Sequence, residues 1–347
     1  MLDLKYKTKI IFIMLGTKCN LKCSYCIEQS QNMMLPDCRE INEDVIKFIR
    51  KQKPEQIRFY GGEALLYMDK IKKIISELKD LKIEYTVFTN GKLLTQEIVD
   101  YFNENDVFVH VSWDGTQSML TRGYDALKDK EDLLANINIL NIQPVLSSKV
   151  DLLEFLKDVT PFFEKYYAIH QYHTNITFGI IYDLSGKLKD LTHFDFDEFK
   201  KRTELFVKEA VKAMNKKDKT FYDLLLIKAY RFVIFDVEAR ERIMGADCKN
   251  GSTTINLDLH GNIYQCHNTG KLIGNIHDLY NRKLDENDEL ANEHLKAECK
   301  DCEVLSFCKG GCPSMDKAMR DDTNYCKIRK IFYGVFLDSV RKMGVKI

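Results

Sequence analysis

The uneven spread of eleven cysteines constrains this chain more than any other feature of its sequence. Four lie before residue 40, none falls between 39 and 247, and seven crowd between 248 and 326. A secreted disulfide framework would occupy a much shorter chain, with an even count and an export signal. Here the count is odd. The opening MLDLKYKTKIIFIML has the lysines and short apolar stretch of a signal peptide, but it runs into GTKCNLKC with no small-residue cleavage site. It reads as a buried first strand, and the chain as cytoplasmic. In a reducing compartment clustered thiols bind metal or do redox chemistry, so two separate metal-binding regions are expected.

The stretch between the two cysteine groups alternates strand and helix patterns. Strands are predicted at 10–15, 56–60, 83–89, 107–113, 142–149 and 175–182, with helices at 41–53, 67–80, 95–104, near 130–140 and at 152–166. Such alternation indicates an α/β fold built on a parallel sheet. Six βα units are too few for a closed eight-stranded barrel, which leaves a partial barrel or an open sheet. Two amphipathic helices follow at 195–217 and 219–243. From 248 to 326 the periodicity breaks into short pieces between cysteines, as in a segment stapled by metal. Lys+Arg and Asp+Glu both number 52, and no basic stripe points to nucleic acid. No apolar run of about 18 residues points to a membrane span.

Cys19, Cys23 and Cys26 stand as C-x3-C-x2-C directly after the first predicted strand. Three thiolates can hold three irons of a 4Fe–4S cube and leave the fourth open to chelate and reduce a substrate. The plainer alternative is a zinc site completed by another ligand, such as Cys38. Gly61, Gly62 and Glu63 end the second strand, Thr89, Asn90 and Gly91 the third, and Ser112, Asp114 and Gly115 the fourth. Each alone is an ordinary turn. Together they occupy the C-terminal strand ends, where parallel α/β folds build active sites.

With these residues the chain resembles the radical S-adenosylmethionine (SAM) superfamily, whose signature is C-x3-C-x2-C with an aromatic (here Tyr25) before the last cysteine, then GGE after strand two. The resemblance implies a partial (β/α)6 barrel whose 4Fe–4S cluster, on Cys19, Cys23 and Cys26, binds the amino and carboxylate groups of SAM. It implies that Gly61, Gly62 and Glu63 contact the SAM amino group, and that Ser112 lies near the ribose or carboxylate. Arg122 is a candidate carboxylate partner, although a loop arginine is often simply solvated; Thr89 and Asn90 would line the pocket. Cys248-x12-Gly261-x4-Cys266, then Cys299-x2-Cys302-x5-Cys308-x3-Cys312 and Cys326, is similar to the SPASM domain found behind such barrels. That similarity implies two auxiliary 4Fe–4S clusters, three in all. One would take Cys299, Cys302, Cys308 and Cys326. The other would take Cys248, Cys266 and Cys312, with its fourth ligand unassigned. Cys38 reads as a structural thiol. The chain then divides into a radical SAM partial barrel over 1–217, a helical connector over 218–247, a SPASM segment over 248–326 and a terminal helix over 327–347.

What the resemblance implies for function is reductive cleavage of SAM to a 5′-deoxyadenosyl radical and oxidative modification of a ribosomal peptide, by thioether or carbon–carbon cross-linking. Formylglycine formation on a protein Cys or Ser is the alternative. In that subgroup an Asp serves as base after the G-x4-C cysteine, where this chain has His267, a residue able to act as catalytic base or to support cluster sulfur. A non-catalytic zinc or electron-transfer protein is the alternative of another class. The expected partners are a peptide or protein substrate, a one-electron donor such as flavodoxin or ferredoxin, and a separate leader-binding protein. The barrel rim or the 195–243 helices would otherwise serve as the leader surface. Neither nucleic acid nor membrane is expected as a partner.

Overall fold

The computed structural model describes residues 10–30, 35, 40–181, 188–241, 254–268, 270–277, 297–308, 310 and 323–343. Cys38, Cys248 and Cys312 lie outside them. The chain divides into two compact units. The first opens with β1 (Ile10–Met14), the one-turn α1 (Ile27–Ser30), α2 (Glu43–Gln52) and β2 (Gln56–Tyr60). It continues with α3 (Met68–Leu78), β3 (Glu84–Thr89), α4 (Gln96–Glu104) and β4 (Phe108–Ser112). The four strands run parallel in sequential order, with Ile11 beside Ile57, Ile57 beside Tyr85 and Val87 beside Val109.

Alternation decides which face does what. Ile57, Phe59, Val87, Val109 and Val111 are fully buried. The helices present apolar faces at three- and four-residue spacing: Val45, Phe48 and Ile49 on α2, Ile71, Ile74, Ile75 and Leu78 on α3, and Val99 and Phe102 on α4. The alternate positions Arg58, Tyr60, Phe88, His110 and Ser112 are only half-buried. One sheet face is therefore core, and the other is available for chemistry. Side-chain caps fix the helix starts: Asn42 accepts from the Asp44 N–H at 2.9 Å, and Thr95 from the Ile98 N–H at 3.3 Å.

After β4 the chain enters the second unit through α5 (Ser118–Thr121) and returns to the first as α6 (Ala126–Ala135), which starts ahead of the helix predicted near 130–140. The strand predicted at 142–149 is broken into β5 (Leu140–Gln143) and β6 (Val145–Leu146) by Pro144, which has no N–H to give a ladder. The second unit continues with α7 (Leu152–His170), β7 (Asn175–Ile176) and β8 (Gly179–Ile180). The last two are the pieces of the strand predicted at 175–182. Next come α8 (Lys189–Thr192), α9 (Phe196–Asn215) and α10 (Phe221–Glu241), where two amphipathic helices are predicted. A terminal helix, Thr323–Lys342, runs parallel to α9. Lys327 lies over the Phe196 ring at 4.0 Å, and Phe199 pairs with Phe332 and Phe206 with Phe336 at 6.4 and 5.7 Å.

The first unit is completed by β9 (Thr254–Asp258), β10 (Asn262–Tyr264) and β11 (Leu272–Asn275). Here β9 is parallel to β1 on the side away from β2, pairing Ile11 with Ile255 and Ile13 with Leu257. The β9–β10 turn needs Gly261. Its φ is +90°, and a Cβ there would meet Ile276 at 2.8 Å. Asp258 ties the turn together, accepting from the N–H groups of His260 and Asn262, from the Asn262 amide and from the Tyr264 hydroxyl, all at 2.8–2.9 Å.

Candidate metal and SAM site

The cysteine loop leaves the C-terminal end of β1, and the backbone following β2 is laid directly against it. The Gly62 N–H donates to the Gly16 carbonyl at 2.9 Å, and the Glu63 N–H to the Lys18 carbonyl at 3.0 Å. A Cβ on Gly61 would stand 2.4 Å from the Gly16 oxygen, and one on Gly62 would stand 2.5 Å from the Lys18 oxygen. These two glycines thus serve first to let two backbones touch, which seats the segment carrying Cys19. Tyr67 adds to the clamp, its hydroxyl accepting from the Lys18 N–H at 3.3 Å.

Glu63 is 1% exposed and joins the ends of β2 and β3. Its carboxylate accepts from the Leu65 N–H at 3.0 Å, the Thr89 hydroxyl at 2.6 Å and the Asn90 N–H at 2.8 Å. Burial raises its pKa, and those three donors oppose the rise. Three of about four acceptor positions are occupied, which leaves room for one more donor such as an ammonium. Thr89 is spent on this network, since its oxygen also accepts from the Gly91 N–H at 2.9 Å.

Asn90 faces the cysteine loop. Its amide lies 4.0 Å from the Cys19 sulfur and donates to the Asn20 side-chain Oδ1 at 2.8 Å. That bond turns the Asn20 NH2 inward, where Nδ2 is buried with no hydrogen-bond partner among the described residues. A buried amide donor left unmet costs about 1–3 kcal/mol, so this NH2, one residue from Cys19, suits a group that accepts, as cluster sulfides and thiolates do. The Cys19 sulfur already accepts from the Leu21 N–H at 3.4 Å. Burial pushes the Cys19 thiol up, the Leu21 bond pulls it down, and the charges of Glu63, Cys26 and Glu28 push it up again. Iron would displace that proton. Tyr25 is buried within the loop, and the Cys26 N–H donates to the Cys23 carbonyl at 3.2 Å. Glu28, not singled out from the sequence, is a buried carboxyl on α1 whose pKa burial lifts to about 7.

Cys266 and His267 also belong to the first unit, just after β10. The His267 ring stacks on Phe12 (centroids 4.3 Å, 6° between planes) and meets Tyr60 edge-on at 4.6 Å. Burial, then the charge of Arg58, pushes its pKa down to about 4, so the ring is neutral at pH 7. It contacts the Asn268 side-chain amide at 3.1 Å; the Asn268 backbone N–H donates to the Cys266 sulfur at 3.3 Å, and its side-chain Oδ1 accepts from the Tyr60 hydroxyl at 2.8 Å. The backbone N–H of Asn268 thus supplies a donor to the Cys266 sulfur. Sequence alone carried no signal for Asn268, Tyr60 or Arg58, whose shared face emerges only from strand register.

In the second unit, Arg122 is 7% exposed and grips Asp114 with Nε at 2.9 Å and Nη2 at 3.2 Å. Asp114 also accepts from the Thr121 hydroxyl at 2.7 Å and the Val145 N–H at 2.9 Å. Ser112 ends β4 in the first unit. Cys299, Cys302, Cys308 and Cys326 form the other thiol group. Burial pushes the Cys308 thiol up, the Arg329 cation opposes this, and the charges of Cys326, Cys302 and Cys299 add to the rise. All four thiols are thus electrostatic neighbours, and Val304, Phe307 and Leu337 make an apolar bed for Cys302 and Cys308. Among the described residues no three His, Cys, Asp or Glu groups converge as the ligands of one metal ion do. A cube asks less, because each thiolate binds its own iron.

Comparison with known proteins gives this geometry a context. Residues 13–141 match the radical SAM superfamily. The radical SAM cyclopropyl synthase TigE of Paramaledivibacter caminithermalis is 24% identical over 339 residues, covering 88% of this chain and 67% of the relative. A cysteine-type anaerobic sulfatase-maturating enzyme of Clostridium perfringens is 26% identical over 362 residues, covering 91% of this chain and 92% of the relative. Among solved structures, native anSMEcpe with bound AdoMet aligns at a TM-score of 0.69 and 19% identity, over 98% of this chain and 100% of that one. Streptococcus suis SuiB bound to S-adenosylmethionine aligns at 0.61 and 17%, over 91% and 78%. These structural likenesses show a shared fold.

Proposed function

The chain is a radical SAM enzyme, and from that premise we propose that it is a maturase that oxidatively cross-links a ribosomal peptide through a thioether or carbon–carbon bond. The observation that carries the reading is the clamp of the C-x3-C-x2-C loop by Gly61, Gly62 and Asn90 at C-terminal strand ends, with the Asn20 NH2 turned inward. Cys19, Cys23 and Cys26 would hold the first 4Fe–4S cluster. Bound there, it would supply the electron for reductive cleavage of SAM to methionine and a 5′-deoxyadenosyl radical that takes a hydrogen atom from the substrate.

This chain's own residues prepare the site. Glu63 offers its remaining acceptor position to the SAM amino group, and Ser112 lies at the strand end where the ribose or carboxylate would rest. Tyr25, Thr89 and Asn90 fix the loop. Arg122, held by Asp114, is our candidate partner for the SAM carboxylate. We assign Cys299, Cys302, Cys308 and Cys326 to one auxiliary cluster, and Cys248, Cys266 and Cys312 to the other. His267 takes a positioning role, packing Asn268 against Cys266. A separate leader-binding protein and a flavodoxin or ferredoxin donor complete the assignment. Two relatives support the substrate class: native anSMEcpe is seen with a Cp18Cys peptide, and SuiB with its precursor peptide SuiA. Formylglycine formation is the second reading, favoured by the likeness to sulfatase-maturating enzymes along 91% of the chain.

The test is anaerobic purification followed by iron analysis and quantitation of 5′-deoxyadenosine under strong reductant. Three cubes require about twelve irons per chain. Replacing Cys19, Cys23 and Cys26 together with Ala should remove about four of them and all SAM cleavage. Unchanged cleavage in that variant would end the reading.

A further inference from the structure

Parallel packing of α9 and the terminal helix leaves a groove of about 960 Å3 in the second unit. Its floor is apolar, made by Val207, Val211, Ile331 and Val335. Its rims are basic. Lys208, Lys330 and Lys342 are exposed and form no ion pair among the described residues. The acids at the rims are outnumbered by lysines: Glu204 faces Lys200 at 3.9 Å, and Glu303 and Asp338 share Arg341 at 3.4 and 3.8 Å. What remains is uncompensated positive charge flanking an apolar strip.

An independent feature marks the same strip. Gly334 lies inside the terminal helix, where glycine weakens the element. No neighbour requires it, since a Cβ there would meet nothing within 4 Å. The missing side chain therefore serves no packing inside the unit. It keeps the groove floor low between Ile331 and Val335, as a close-docking backbone would need.

We propose that this groove binds an acidic amphipathic helix, namely a segment of the substrate peptide remote from the residues that react. The identity of the occupant rests on the peptide-maturase reading above; the groove's preference for acidic amphipathic helices does not. The rims run from Lys200 to Lys212 on α9 and from Lys327 to Met343 beyond it. At 1.5 Å per residue those spans accommodate a helix of about 12–16 residues. Such a guest would set its apolar stripe on the valines and isoleucine and its Glu or Asp flanks against the lysines.

The experiment uses the anaerobically purified full chain and a fluorescein-labelled synthetic peptide of about 16 residues, with Leu at helical spacing and Glu elsewhere. A counterpart carries Lys for every Glu. Fluorescence anisotropy should show the acidic peptide binding at least about tenfold more tightly than the basic one, with affinity falling as salt rises. Lys208→Glu combined with Lys330→Glu should abolish the preference. Gly334→Leu should weaken binding by about tenfold while helical content and melting temperature hold, because its side chain enters open space. Peptide-independent SAM cleavage should be unchanged in every variant, so its failure in the parent chain would count against the maturase reading alone. Equal affinity for both peptides, variants that bind like the parent, or capture by phosphatidylserine vesicles in place of the peptide would overturn the proposal.

Discussion

At the scale of single residues, the first site depends on atoms that are missing or turned. Gly62 has no room for a methyl group, because two carbonyl oxygens, of Thr17 and Lys18, lie within 2.6 Å of where it would go. Gly62→Ala should therefore push the cysteine loop off its seat. An ångström of displacement at a reacting centre costs on the order of 100-fold, and 5′-deoxyadenosine formation should fall by that much, with iron content as the parallel readout. Asn20 works through orientation. If its NH2 meets cluster sulfur, Asn20→Ala removes a donor that stabilises the reduced state, and the midpoint potential of the SAM cluster should fall in an EPR-monitored titration. The cysteine triplet, the glycine pair and Glu63 stand out in the sequence because clustered thiols and close backbone approach draw on few residue types. Asn20 does not, because the group that turns it lies seventy residues away on Asn90. Glu28 looked like any acidic residue on a helix until its burial was seen.

Among elements, the α9–α10 junction carries a reciprocal cap. The Asp223 N–H donates to the Thr220 hydroxyl oxygen at 3.2 Å, while the Asp223 carboxylate accepts from the Thr220 N–H at 2.8 Å and from Lys216 at 2.7 Å. Burial works to raise the Asp223 pKa, but the bonds from Lys216 and Thr220 overcome it and leave the value lowered. The stabilisation is then present above the ordinary carboxylate range and lost as pH falls through the depressed value. Asp223→Asn should cost about 1–2 kcal/mol in urea unfolding at pH 7, and the gap to the parent should close in strong acid. Helix positions were readable at this scale because α2, α3, α4 and α9 repeat apolar residues at helical spacing. Strand limits were less so. Pro144 cut one predicted strand, and β9, which alternates polar and apolar residues as Thr-Ile-Asn-Leu-Asp, gave no local sign of its partner.

For the whole molecule, the two thiol groups with all members described fall in different units: Cys19, Cys23 and Cys26 in the first, and Cys299, Cys302, Cys308 and Cys326 in the second. Separate sites should fail separately. Cys308→Ala should remove about four irons and abolish substrate oxidation, while SAM cleavage without substrate continues; iron analysis and product mass spectra read the two outcomes. The strands β9–β11 belong to the first unit although the sequence marks their stretch chiefly by its cysteines.

The pairing of β1 with β9 has a consequence for the life of the chain before it is complete. During synthesis the strand that covers the outer edge of Ile-Ile-Phe-Ile-Met is translated more than two hundred residues after it. Until then the nascent protein presents a bare apolar ribbon to its surroundings, an invitation to clump that a waiting chaperone would have to answer.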